Sequence, residues 1–164
     1  MDGKTDAGQC DEAGRGMGEL SRGEKAVELF KAGCACSQAV VVAYCDLFGL
    51  DEATAMKVSC GLGAGVGRMR EVCGAVSGMA VLAGLKHGSG SPDSEAKKKT
   101  YEVTQAMAEA FKERHGSIVC RELLGLDRPE NDPTPEARTA AYYKKRPCVE
   151  LVADAAAIVE RFLL

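Results

Sequence analysis

Residues 147 to 163 read PCVELVADAAAIVERFL, and in them Val149, Val152, Ala156, Val159 and Leu163 recur in steps of three and four. Apolar residues at that interval share one face of an α-helix, whereas a half-buried strand needs period two. Pro147 at the head suits a helix start, because its φ is already near the helical value and it has no N–H to leave unpaired. The same reading extends outward. Val72, Val76, Met79 and Ala83 recur in steps of four, three and four, so a helix is expected from near Glu71. Ser91 with Pro92 opens a long helix whose inner face would be Val103, Ala106, Met107, Ala110 and Phe111, and Gly116 ends it. Ser21 with Glu24 forms a capping box for a first helix that Gly33 interrupts. A second apolar run passes through Val40, Tyr44 and Phe48 to Gly49, and Asp51 caps a short helix through Met56 and Val58. Ser117 caps another containing Cys120, Leu123 and Leu124. Pro129, Pro133 and Pro135 make residues 125 to 135 a loop, and Thr134 with Pro135 begins a further helix through Tyr142. No period-two segment and no internal repeat appears. The expected fold is all-α: a single-domain array of about six helices over residues 20–164, with a glycine-rich loop and a flexible N-terminal tail at residues 1–19.

Composition narrows the function. A chain of 164 residues, 46% hydrophobic and 27% charged, can bury an ordinary core. No apolar stretch approaches the ~20 residues of a membrane span. The first 18 residues lack the apolar centre of a secretory signal, so a cytoplasmic protein is expected. A net charge of −3 with mixed signs argues against a nucleic-acid surface, and the run Lys97, Lys98, Lys99 reads as a solvated helix face.

The informative count is eight cysteines, at positions 10, 34, 36, 45, 60, 73, 120 and 148. In a cytosolic chain they point to metal binding or redox chemistry ahead of disulfide staples. Cys36, Cys73, Cys120 and Cys148 each fall at an expected helix start. There the unpaired N–H groups and the positive end of the helix dipole favour thiolate over thiol, and the thiolate is the nucleophile and metal ligand. Cys34 and Cys60 stand close enough to this set to compete with it as ligand or resolving thiol. Cys10 reads as a bystander in the tail, and Cys45 as core packing. Zinc finds little support, since there is no CxxC pair. The alternating Gly61, Gly63, Gly65 and Gly67 form no nucleotide fingerprint; they suit a close backbone approach to a sulfur-rich centre or tight helix packing, and Gly74 with Gly78 suggest the latter. Arg68, Arg70 and Arg121 lie near Cys73 or Cys120 in sequence, where a guanidinium would lower a thiolate pKa or bind an anion. His87 and His115 read as dipole partners at helix C-termini.

At these residues the chain resembles the C_GCAxxG_C_C family of redox-active proteins. The resemblance is carried by Gly33-Cys34-Ala35-Cys36-Ser37-Gln38-Ala39-Val40, Gly65-Val66-Gly67-Arg68, Cys73-Gly74-Ala75-Val76-Ser77-Gly78, Cys120-Arg121-Glu122-Leu123-Leu124-Gly125 and Cys148-Val149-Glu150-Leu151-Val152, in the family's order. It implies that the four defining cysteines are Cys36, Cys73, Cys120 and Cys148, and that the role is electron transfer or thiol redox. A similar domain occurs in split-Soret cytochromes beside haem-binding sequence and an iron–sulfur centre; this chain has no haem-attachment motif. The first reading is therefore electron transfer through an iron–sulfur cluster held by the four cysteines, with amides of Gly65 and Gly67 bonding to its sulfur. The second is a cofactor-free thiol–disulfide oxidoreductase, and the third a non-enzymatic metal-binding or sensing module. The expected partner is a redox protein or a small electron donor or acceptor, with no nucleic acid and no membrane, and a homodimer is allowed.

Overall fold

The computed structural model describes residues 20–164, so the expected tail and Cys10 lie outside the described residues. Among these the chain is all-helical: α1 Arg22–Lys31, α2 Cys36–Tyr44, a 3₁₀ turn Cys45–Phe48, α3 Glu52–Cys60, α4 Gly74–His87, α5 Ser94–His115, α6 Cys120–Leu123, α7 Ala140–Lys145 and α8 Cys148–Leu163. Six of the eight helices are seven residues or longer.

Local chemistry sets most boundaries. The Ser21–Glu24 capping box forms, with the Ser21 amide donating to Glu24 Oε2 at 2.8 Å and the Glu24 amide to Ser21 Oγ at 3.2 Å. Asp51 Oδ1 accepts from the Thr54 amide at 2.9 Å. Gly49 and Gly116 end their segments at φ +75° and +83°, in the left-handed region that glycine enters at least cost. Three expected starts shift. The long helix begins at Ser94, because Asp93 Oδ1 takes the Glu95 and Ala96 amides and so outcompetes Ser91 as cap. Residues 125–138 stay irregular, and the next helix waits for Thr139, whose Oγ1 accepts from the Tyr142 amide. Finally, α4 starts at Gly74, because residues 70–73 pair with 118–121 instead. The Cys73 amide donates to the Ile118 carbonyl at 2.8 Å, and the Cys120 amide to the Glu71 carbonyl at 2.6 Å.

The core forms around α2. Its residues from Ala39 to Tyr44 are all buried, as a helix surrounded by others requires. It packs against α1, α3, α4 and α8, while α5 lies across α4 and α8. In α8 the expected stripe is buried except for half-buried Val149, and Leu151, Ala155 and Ile158 widen it. In α5 only Met107 and Phe111 are fully buried and Ala106 faces solvent, because this helix covers the edge of the core. Gly74 and Gly78 bring α4 against α2: a Cβ at Gly74 would stand 3.1 Å from the Ser37 amide, and one at Gly78 would stand 3.1 Å from Val40 Cβ. That contact carries the starts of two cysteine-bearing helices toward each other. Ser37 Oγ, fully buried, donates to the Ser59 carbonyl at 2.7 Å and ties α3 to the same place.

Candidate redox site

Each of the four cysteines sits at a helix start. Cys36, Cys120 and Cys148 are the first residues of α2, α6 and α8, and Cys73 is the N-cap of α4. The fold brings them together. Cys36 and Cys148 are neighbours whose thiols act most strongly on each other, and Cys73 interacts electrostatically with Cys36, Cys120 and Cys148. Cys148 also acts on Cys120. The two-residue bridge at Val72 and Val119 holds the Cys73 and Cys120 starts side by side. Cys73, Cys120 and Cys148 are buried, and Cys36 is half-buried.

Helix-start placement does not lower all four pKa values, as the sequence led one to expect. Burial pushes the Cys73 thiol up to about 12, outweighing the Ala75 and Val76 amides, which favour its thiolate. Burial also raises Cys120, against the pull of Arg70. Cys36 is held well above the ordinary thiol value, first by its hydrogen bond to Cys148 and then by burial. Only Cys148 is lowered, from the ordinary 9.0 to about 7; the hydrogen bond from Cys36 is the main cause, with Arg146, Arg138 and Arg70 adding to it against burial. The site is thus asymmetric, with one thiolate and one proton donor in contact.

The arginines are sorted by the tertiary structure. Arg70 is buried, and its Nη1 lies 3.9 Å from Cys120 sulfur. Arg121 instead pairs with Glu71 at 3.0 Å, and Arg68 with the acids of residues 130–136. Two further arginines act on Cys148. Arg146 stands two residues before Cys148, which was a usable signal. Arg138 donates to the Phe30 and Cys34 carbonyls at 3.1 Å each and lies 4.5 Å over the Phe30 ring, a placement no local pattern reveals. Of the remaining cysteines, Cys45 is buried and donates to the Val42 carbonyl, consistent with core packing. Cys34 is fully buried and disulfide-bonded, so it is not the ligand or resolving thiol that its place beside Cys36 allowed, and Cys60 is exposed at the end of α3.

The glycine loop approaches the thiols by winding left-handed. Ala64, Gly65, Val66, Gly67 and Arg68 are consecutive residues with φ between +53° and +75°, and Arg70 follows at +61°. Each non-glycine residue held this way costs roughly 1–2 kcal/mol, and the branched Val66 is the worst suited. Gly65 packs on Cys120, where an added Cβ would stand 2.7 Å from Cys120 Cβ. The Gly67 amide donates to the Gly61 carbonyl at 2.8 Å, so it is committed to the loop and not to sulfur. Ala64→Gly is expected to raise the melting temperature by a degree or two, since relief of the left-handed strain exceeds the ~0.5–1 kcal/mol entropic cost of glycine; an unchanged or lower melting temperature would show that the loop carries no strain there.

The model of the family described as "Putative redox-active protein (C_GCAxxG_C_C)" matches residues 34–162. The chain belongs to this family. No curated protein and no solved structure matches the chain. Cysteine thiolates are the donors an iron–sulfur cluster takes, yet among the described residues no three Cys, His, Asp or Glu side chains are grouped closely enough to hold a metal ion. No described helix is long and apolar enough to cross a membrane.

Proposed function

We propose that this C_GCAxxG_C_C protein is a thiol–disulfide redox protein in which Cys148 attacks and Cys36 resolves. The observation that carries this reading is the pairing of Cys36 and Cys148 at two helix starts, where each thiol is the leading influence on the other's ionisation. The Cys148 thiolate attacks one sulfur of a substrate disulfide, forms a mixed disulfide and releases the other sulfur as a thiolate. Cys36 then loses its proton to the released thiolate or to water and attacks Cys148 sulfur. The second substrate thiolate leaves, a Cys36–Cys148 disulfide remains, and two electrons have passed to the substrate. Cys73 and Cys120 stay protonated by burial and pack the site.

A second reading is supported by the meeting of four thiols in one place: Cys36, Cys73, Cys120 and Cys148 together binding an iron–sulfur cluster, or another metal in a non-enzymatic module. Anaerobic purification with metal and sulfide analysis, followed by thiol counting, tests both. The expected result is a metal-free protein that loses two thiols on treatment with a disulfide, with Cys36 and Cys148 linked in the peptide map. Stoichiometric iron and acid-labile sulfide would replace the dithiol reading with the cluster one.

A further inference from the structure

Beside the thiols, residues 127–139 run as a strap without regular structure, exposed at almost every position except Glu130 and Arg138. Its two glutamates reach into one group of arginines. Glu130 Oε2 accepts from Arg70 Nε at 2.9 Å and lies 2.9 Å from Arg70 Nη2 and 3.4 Å from Arg68 Nη2. Glu136 Oε1 lies 3.4 Å from Arg68 and 3.8 Å from Arg70, and pairs closely with Arg146. Asp132, at 3.9 Å from Arg68, is largely in solvent. The arginine side chains, by contrast, are only 13%, 5% and 14% exposed for Arg68, Arg70 and Arg146.

The asymmetry is informative. Three nearly buried guanidinium groups are fixed by the body of the protein, and their counter-charges ride on an exposed, irregular segment. A buried cation left without an anion is costly, so the strap carboxylates can leave only if another anion takes their place. The carboxylates that would leave are themselves 31% and 38% exposed, for Glu130 and Glu136, so an incoming anion can reach their places from solvent. The same Arg70 that holds Glu130 also reaches Cys120 sulfur, and Arg146 and Arg70 both act on Cys148. An anion seated on this group therefore lies beside the reactive pair.

We infer that Arg68, Arg70 and Arg146 form an anion-binding subsite which Glu130 and Glu136 occupy at rest, and that the substrate is a disulfide carrying carboxylate or similar negative groups. This rests on the dithiol reading above. Guanidinium groups take carboxylates in two-point contacts, which would orient such a disulfide toward Cys148.

The test compares three disulfide probes on the full chain, following the oxidation of Cys148, as mixed disulfide plus Cys36–Cys148 disulfide, by peptide mass spectrometry: dianionic 5,5′-dithiobis(2-nitrobenzoate), neutral 4,4′-dithiodipyridine and dicationic cystamine. At low salt the rate with the anionic probe, corrected for each probe's rate with a free thiol, is expected to exceed the cationic one at least tenfold. That ratio should shrink severalfold at about 0.5 M salt. Glu130→Gln combined with Glu136→Gln should raise the anionic-to-neutral ratio threefold or more, and Arg68→Gln should lower it. Equal acceleration of all probes by the glutamine variant, or no charge preference in the native chain, would overturn the subsite. If the glutamine variant fails to fold, the native chain's charge preference and its salt dependence decide alone. No oxidation of Cys148 by any probe, neither as a mixed disulfide nor as the Cys36–Cys148 disulfide, would instead overturn the dithiol reading.

Discussion

Cys148→Ser is expected to abolish the two-thiol loss on oxidation, and Cys36→Ala to stop the reaction one step later, at a mixed disulfide on Cys148. The two outcomes differ because the two sulfurs have different roles. Cys148 is the thiol held near 7, so about half of it is thiolate at neutral pH, whereas an ordinary thiol at 9.0 would be roughly 1% ionised. Its alkylation rate in the native chain should rise about tenfold per pH unit below pH 7 and level off above it. Because the hydrogen bond from Cys36 is the largest cause of that lowering, Cys36→Ala should move the inflection upward, toward the ordinary thiol range. Peptide-resolved alkylation between pH 5 and 10, with mass analysis of the adducts, reads both effects. An inflection for Cys148 that ignores Cys36, or a mixed disulfide trapped on Cys36 in place of Cys148, would reverse or remove the assignment. Arg138 and Arg146 lower the same thiol less, so their replacement should shift the inflection by a smaller amount.

Gly65→Ala is expected to destabilise the protein by about 3 kcal/mol or more, while Gly67→Ala should cost only about 1–2 kcal/mol. Both residues have positive φ, at +75° and +56°, so both substitutions carry the left-handed penalty. They differ in what the new methyl group meets. At Gly65 a Cβ would stand 2.6 Å from the Glu71 nitrogen, 2.7 Å from Arg70 Cα and 2.7 Å from Cys120 Cβ; at Gly67 nothing lies within 4 Å. Two of the atoms at Gly65 are backbone, and the third belongs to a site cysteine, so relief requires moving the Cys120 helix start. Each kcal/mol shifts the melting temperature of a domain this size by ~2–4 °C, which makes the difference between the variants easy to resolve by thermal and urea melts. Equal losses at the two positions would mean that the close approach to Cys120 contributes nothing. The Gly65 variant, where it folds, should also change Cys120 alkylation; the Gly67 variant should leave it alone.

The helical class, most of the core stripe of α8, the capping of α1 and α3, and the placement of four cysteines at helix starts were all legible in residues 20–164 alone. These are local facts: a side chain three or four positions away, a cap bonding the next turn, a glycine where φ turns positive. What the local pattern could not supply was competition between distant partners. Residues 70–73 pair with 118–121, which delays α4 to Gly74 and aligns Cys73 with Cys120. Burial, which depends on the whole fold, then overrides the helix-start effect at Cys73 and Cys120. Cys148 escapes only because Cys36, 112 positions earlier in the chain, donates a hydrogen bond to it, and because arginines from three separate segments surround it. The sequence by itself determined which sulfurs stand at the ends of helices. The tertiary structure decided which of them ionises, because a thiol's charge is set by what solvates it, and here that is other parts of the chain in place of water.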